Sequence, residues 1–210
     1  MNVGLDVLVE LAALAYLLVF VLAALDVVFP VLPSESVVVL GAVLASQGRL
    51  SVVPLLAAAA AGAIAGDHLS YALGRSTRGL GRRDPTGRAQ RLRRWARHQL
   101  DVRGPMILLV GRFVPGGRTA STLMAGQVAL PLRTYSPVTV IAGALWAGFG
   151  VALGTLGGAT FHDQTLLATA FGIALGVGTA VIVQAVVGRR VRPLDAVPDG
   201  DDDITARRAA

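Results

Sequence analysis

The sequence predicts an all-α polytopic membrane protein with about four transmembrane helices, two opposed re-entrant helical hairpins and one amphipathic interfacial helix. Three observations predict it. Of 210 residues, 54% are hydrophobic and only 15% charged, with a mean hydropathy of +0.64, far from an ordinary soluble domain. Four apolar runs approach or exceed the roughly 20 residues that cross a bilayer core. Between them lie shorter apolar runs broken by Pro and Gly. Irregular backbone at membrane depth is tolerated only where it is buried in protein or lines a cavity.

The first run covers residues 5–29, interrupted by Asp6, Glu10 and Asp26. It has no basic flank on its N-terminal side and exceeds the apolar core of a signal peptide, so it reads as a retained span. The run at 37–45 is too short to span. With Pro30 and Pro33 before it and Gly48 after it, it reads as one arm of a re-entrant hairpin. Residues 54–73 form the second span, with Asp67 and His68 late in it.

Residues 75–103 carry ten arginines, among them Arg75, Arg88, Arg97 and Arg103, opposed only by Asp84 and Asp101. Ala89, Leu92, Trp95, Ala96 and Leu100 recur at helical spacing, with Asp84-Pro85 as cap and first turn. That pattern predicts a helix lying on the membrane surface against anionic lipid. The positive-inside rule makes this segment cytoplasmic. Residues 105–126 form the second hairpin with its lead-in, 135–158 the third span and 166–187 the fourth. The last two spans repeat glycines at four-residue spacing: Gly150, Gly154 and Gly158, then Gly172 and Gly176. Such faces let helices pack closely in lipid and leave room for a homo-oligomer. Residues 1–188 make one membrane domain; the tail 189–210, with its Asp199–Asp203 acidic run, is expected to be disordered and cytoplasmic.

Parity supports the topology. With the basic segment inside and each hairpin returning to its own side, both termini are cytoplasmic, and the outer loop around His162 and Asp163 carries no arginine. A faint repeat agrees: Glu35-Ser36 followed by Ser51 and Pro54 matches Arg118-Thr119 followed by Thr134 and Pro137 at equal spacing. Inverted repeats around broken helices are a transporter architecture, with the site at the repeat interface.

The net charge of +6 lies beside apolar spans, which points to membrane topology rather than nucleic acid. There is no cysteine and no lysine. Cysteine-based redox chemistry is excluded, no His/Asp cluster has metal-ligand spacing, and no cofactor is implied. The lysine-containing lipid-phosphatase motif is impossible here, so the chain is expected not to be an enzyme.

The chemistry concentrates between Gly111 and Gly126, which holds Arg112, Arg118 and the break Pro115-Gly116-Gly117. An arginine at the bilayer centre costs roughly 2.5–3.5 kcal/mol on insertion scales, so these two need a protein-lined or wet place. Paired arginines with the backbone N–H groups of Gly116 and Gly117 at a helix start would bind a phosphate. Asp26, Glu35 and Asp67 are the matching carboxylates, candidates for proton coupling and gating. The plainer reading is that these acids and arginines pair to close the hairpins. Plainer readings also cover His68 as a polar anchor, Tyr71 and Trp146 as packing or belt residues, and Ser121 and Thr122 as partners for helix backbone.

Asp26-x-x-x-Pro30-x-x-Pro33-Ser34-Glu35, Gly66-Asp67-x-x-x-Tyr71-x-x-Gly74-Arg75, and Gly111-Arg112-Phe113-x-Pro115-Gly-x-Arg118 with Ala125-Gly126 resemble the DedA family, the bacterial branch of the VTT-domain superfamily. The resemblance spans about residues 10–185. It implies a multi-pass protein of the bacterial inner membrane with two opposed hairpins. It also implies movement of phosphate-bearing lipids, such as undecaprenyl phosphate or phospholipids, with links to the proton motive force. Under it, Asp26 and Glu35 fall where the family has functional acids, and Arg112 and Arg118 where it has essential arginines. Two departures stand out. Asp26 replaces a commoner glutamate, and the segment from His98 to Gly104 is longer than the usual lead into the signature. Runner-up functions are a proton- or cation-coupled small-solute transporter and a non-transporting scaffold.

Overall fold

The computed structural model describes residues 3–29, 34–78, 88–112, 116–161 and 164–188, and every long regular element among them is an α-helix. In chain order these are α1 (Val3–Leu25), α2 (Ser34–Ser46), α3 (Val52–Ser76), α4 (Arg88–Gly111), α5 (Gly117–Gln127), α6 (Leu132–Thr160) and α7 (Thr165–Gly188). The approach to the first hairpin at 30–33, the Asp84-Pro85 cap, residues 113–115, His162, Asp163 and the tail 189–210 lie outside the described residues. So do the side chains of Ala89, Leu92, Trp95 and Ala96.

By length and composition, α3 and α6 can each cross a membrane, whereas the apolar stretches Val9–Leu25 and Thr165–Thr179 are shorter. Residues 88–103 of the basic segment and the lead-in to the second hairpin, read separately from the sequence, are one helix. α4 runs through Pro105 to Gly111. A proline inside a helix removes one N–H and crowds the carbonyl four residues back, but the turns on either side keep their own bonds. The chain breaks later. α5 starts from Gly116, whose φ of 71° is left-handed and open to glycine at little cost.

The repeat seen faintly in the sequence reappears in the elements. α2 and α5 are both short, both end in the same cap and both lead into a long helix. At the end of α2 the N–H of Arg49 donates to Leu44 O (2.9 Å) and that of Gly48 to Ala45 O (3.0 Å), with Gly48 at φ 75°. At the end of α5, Leu130 N–H donates to Ala125 O (2.9 Å) and Ala129 N–H to Gly126 O (3.0 Å), with Ala129 at φ 54°. This paired bonding satisfies carbonyls that a helix end otherwise leaves open. Packing is crosswise: α2 lies on α6, the long helix of the other unit, and α5 lies on α3.

Glycines set those crossings. A Cβ at Gly154 would meet Val39 and Ala42 of α2, and one at Gly158 would meet Ser46. The small-residue face of α6 therefore receives a short helix. On the other side, Gly74 of α3 abuts the carbonyl of Leu123, and Gly126 of α5 abuts the backbone of Tyr71 and Arg75. Gly62 and Gly66 bring α3 against Phe20 and Ala24 of α1.

Two apolar clusters result. One joins Val19, Ala23, Val38, Leu55, Ala63 and Trp146; the other joins Tyr71, Leu108, Ala125, Leu130 and Tyr135. Outside them, Val9, Leu14, Leu145, Leu156, Leu166 and Ile182 are exposed, while Asp67, Arg112 and Arg118 are buried. Apolar outside and charged inside is the arrangement expected of a protein solvated by lipid.

Candidate functional site: a buried arginine–aspartate network

Asp67 sits on α3 one helical turn from Ala63 and one from Tyr71, between the two apolar clusters, and is 1% exposed. Its carboxylate is shared. Arg112 Nη1, from the end of α4, donates to Oδ2 at 2.5 Å, and Arg118 Nε, from the first turn of α5, donates to Oδ1 at 2.7 Å. The break between α4 and α5 is what lets two arginines six positions apart reach one carboxylate from different helices. Charge-assisted bonds of this length are the strong ones, and removing one partner of a buried pair costs about 3–5 kcal/mol.

Arg118 spends its remaining donors on α1 and α3. Nη1 donates to Asp26 Oδ2 at 3.2 Å, and Nη2 donates to the carbonyls of Ala63 (3.0 Å) and Ala23 (3.4 Å). Ala23 lies in the last turn of α1, where carbonyls lack helical partners and a cation is favoured by the helix dipole. Next to it, the Thr119 hydroxyl donates to Val27 O at 2.8 Å. Arg118 and Thr119 together therefore close the end of α1.

Arg112 is different. Its side chain is 2% exposed, yet Nε and Nη2 have no hydrogen-bond partner. Only one other buried side-chain polar atom among the described residues is in that condition, Ser34 Oγ. Ser34 opens α2 beside the Asp26 carboxyl, without a well-formed hydrogen bond to it. An unsatisfied buried polar group costs about 1–3 kcal/mol, more when charged, so two such atoms on Arg112 and one on Ser34 need an explanation.

Aromatic residues line the network. The guanidinium carbons of Arg112 and Arg118 lie 5.2 and 6.0 Å from the Trp146 ring centroid. Tyr135 donates its hydroxyl to the backbone carbonyl of Asp67 (2.7 Å) and stacks at 4.6 Å on Tyr71, whose hydroxyl donates to Leu130 O at 2.6 Å. His68 Nδ1 faces the Ile64 carbonyl at 2.9 Å, so that nitrogen carries the proton, and Nε2 faces the Ser136 hydroxyl at 3.0 Å. His68 thus ties α3 to α6.

Of the residues singled out from sequence, Asp26, Asp67, Arg112 and Arg118 converge in this network. Glu35 does not join them: it is exposed in the first turn of α2 and makes no ion pair or hydrogen bond among the described residues. Gly116 caps α5 and Gly117 begins it, beside Arg118. Ser121 and Thr122 donate to the Arg118 carbonyl at 3.1 and 2.8 Å, so they serve helix backbone as expected. Trp146 and Ser34 were not legible as site residues, because nothing in their local sequence marks a contact made across helices.

The chain matches the VTT domain over residues 32–156, a stretch that contains Ser34, Asp67, both arginines, Tyr135 and Trp146 and exceeds half of the chain. It is a VTT-domain protein of the DedA family. Among similar proteins, an uncharacterized membrane protein of Mycobacterium leprae is 28% identical over 77% of this chain and 74% of its own length. The inner membrane protein YghB of Escherichia coli is 31% identical over 65% of each chain. The inner membrane protein YohD of the same bacterium is 29% identical over 59% of this chain and 64% of its own. No solved structure matches it significantly. Like these relatives, this DedA protein is a membrane protein, and the inside-out placement of its charges is the structural counterpart.

Proposed function

We propose that this DedA protein is a transmembrane translocase for phosphate-bearing lipids rather than an enzyme. The observation that carries the reading is the closed arginine–aspartate network at the broken α4–α5 junction of an apolar bundle. Two arginines and two carboxylates balance in charge, so the network can rest inside a membrane and still offer cations to an anionic headgroup when its pairs rearrange. In this reading α2 and α5, with their flanking turns, act as re-entrant hairpins from opposite faces, and α1, α3, α6 and α7 span. The termini and the basic segment 75–103 are cytoplasmic, the latter against anionic lipid. The headgroup passes the network while the acyl or prenyl chains stay in lipid. Asp26, the least buried member, and Glu35, which stands near the start of α2, are the groups through which the proton motive force would bias access.

Reconstitution tests this. Proteoliposomes should flip a fluorescent phosphate-bearing lipid, faster with an imposed proton gradient, and Arg118→Ala should stop it. Normal flipping by that variant at equal expression would sink the role of the network.

Charge balance within the network also favours a second reading, a scaffold whose ion pairs only hold helices together. It predicts that Arg112→Lys, which keeps a cation for Asp67, keeps function. The translocase reading predicts that this substitution impairs flipping. Proton- or cation-driven uptake of a small solute by the same vesicles, without lipid flipping, would point instead to a solute transporter.

A further inference from the structure

The unpartnered buried atoms divide the labour between the two arginines. Arg118 has a partner on each of its three nitrogens, from Asp26, Asp67 and the carbonyls of Ala23 and Ala63. Its bonds hold the end of α1, the middle of α3 and the start of α5 together, and an incoming anion would have to break them. Arg112 gives only Nη1 to Asp67 and keeps Nε and Nη2 free. Those two nitrogens form one edge of the guanidinium, a pair of parallel N–H donors matched to two oxygens on a single centre. The charge stays fixed, because arginine does not deprotonate. The flat face is held by Trp146 at 5.2 Å, so the Nε–Nη2 edge, buried while the network is closed, is the part of the guanidinium left for recognition when the pairs rearrange. Ser34 Oγ, the third unpartnered atom, stands on the Asp26 side of the same network at the start of α2. There the open N–H groups of the helix also favour negative charge.

We propose that the Nε–Nη2 edge of Arg112, with the Ser34 hydroxyl, is the receptor for a tetrahedral phosphate oxoanion, and that Arg118 is a positioning residue that does not bind it. The assignment rests on the phosphate-handling reading of the network but makes a narrower claim. The phosphate places two oxygens on Arg112 and a third within reach of Ser34, and Asp67 stays on Nη1 as the fixed counter-charge. The same chemistry fits a lipid headgroup or free inorganic phosphate.

Trp146 supplies the readout, because its ring lies under Arg112. A Trp95→Phe protein in detergent keeps Trp146 as its sole indole. Titration with inorganic phosphate in one arm, and with short-chain phosphatidic acid in the other, should change Trp146 emission saturably in at least one. Saturation by phosphatidic acid alone assigns the site to a headgroup, and equal saturation assigns it to free phosphate. Arg112→Lys, which keeps the charge but loses the two-donor edge, should weaken binding at least about tenfold. Ser34→Ala should weaken it about three- to tenfold. No saturable change in either arm, or unchanged affinity in a folded Arg112→Lys protein, overturns the assignment. Should Arg112→Lys not fold, a structure of the wild-type protein with phosphatidic acid decides: phosphate on the Arg112 edge supports the site, and phosphate on Arg118 or elsewhere overturns it. Binding that persists while vesicles fail to flip lipid removes the translocase reading and leaves this site standing. Flipping without binding at Arg112 does the reverse.

Discussion

Arg118 and Asp67 meet through Nε and Oδ1 at 2.7 Å, on a carboxylate whose other oxygen already belongs to Arg112. One acid thus serves two cations from two helices, and the network stands or falls with it. Asp67→Asn keeps the shape and removes the charge, leaving two buried guanidinia with only Asp26 to oppose them. The expected loss is about 3–5 kcal/mol of unfolding free energy in detergent. Asp26→Asn should cost less, about 1–2 kcal/mol, because its bond to Arg118 is longer and its side chain is 22% exposed. Denaturant melts of the two variants check the order. Equal losses would mean that Asp67 is not the centre.

Trp146 is the second point of control. Both guanidinia lie against its ring, and tryptophan is the strongest cation–π partner among the aromatic side chains. Trp146→Leu should destabilise by about 2–4 kcal/mol, from lost packing and lost π contact together. A double-mutant cycle with Arg112→Met, which removes the cation and keeps an apolar stem, separates the two contributions. A coupling of about 0.5–2 kcal/mol is expected, and a coupling near zero would leave Trp146 with packing alone.

The helices were legible in the sequence because apolar run length is a local signal, and Pro and Gly mark its interruptions. The presence of the network was legible for a related reason. Asp26, Asp67, Arg112 and Arg118 are charges in greasy surroundings, and such charges find one another. Which acid takes which arginine was not legible. Glu35 stands in the Pro-Ser-Glu motif and looked like the partner, but a helix turns neighbours 100° apart, so Ser34 faces inward and Glu35 outward. The continuity of α4 was obscured by composition, since its first half is basic and its second apolar. Both cues describe what the helix lies against, not whether its backbone breaks.

Ala129 offers a stabilising change. It occupies the left-handed position of the cap that ends α5, at φ 54°, where the matching cap of α2 has Gly48 at φ 75°. A Cβ in that conformation costs roughly 1–2 kcal/mol. Ala129→Gly should therefore raise stability by about 0.5–1 kcal/mol after the added freedom of the unfolded chain is offset. Thermal melts in detergent measure it. A lower melting temperature would show that Ala129 contributes packing that the cap geometry does not reveal.

Close glycines and open glycines should respond with opposite signs. At Gly126 a new Cβ meets the backbone of Tyr71 and Arg75, which cannot move aside as a flexible side chain can. Gly126→Ala should push α5 away from α3 and disturb Arg118 at its other end, costing about 1–3 kcal/mol. Gly74→Ala should do the same from α3, because its Cβ meets the carbonyl of Leu123. Gly148 lies on α6 with nothing within 4 Å of a new Cβ. There alanine only removes freedom from the unfolded chain and improves helix propensity, so Gly148→Ala should stabilise by about 0.4–1 kcal/mol. The contrast makes the test sharp, since all three substitutions add the same methyl group to a helix. If Gly126→Ala and Gly148→Ala shift the melt in the same direction, then the close approach of α3 and α5 does not hold the arginine network in place.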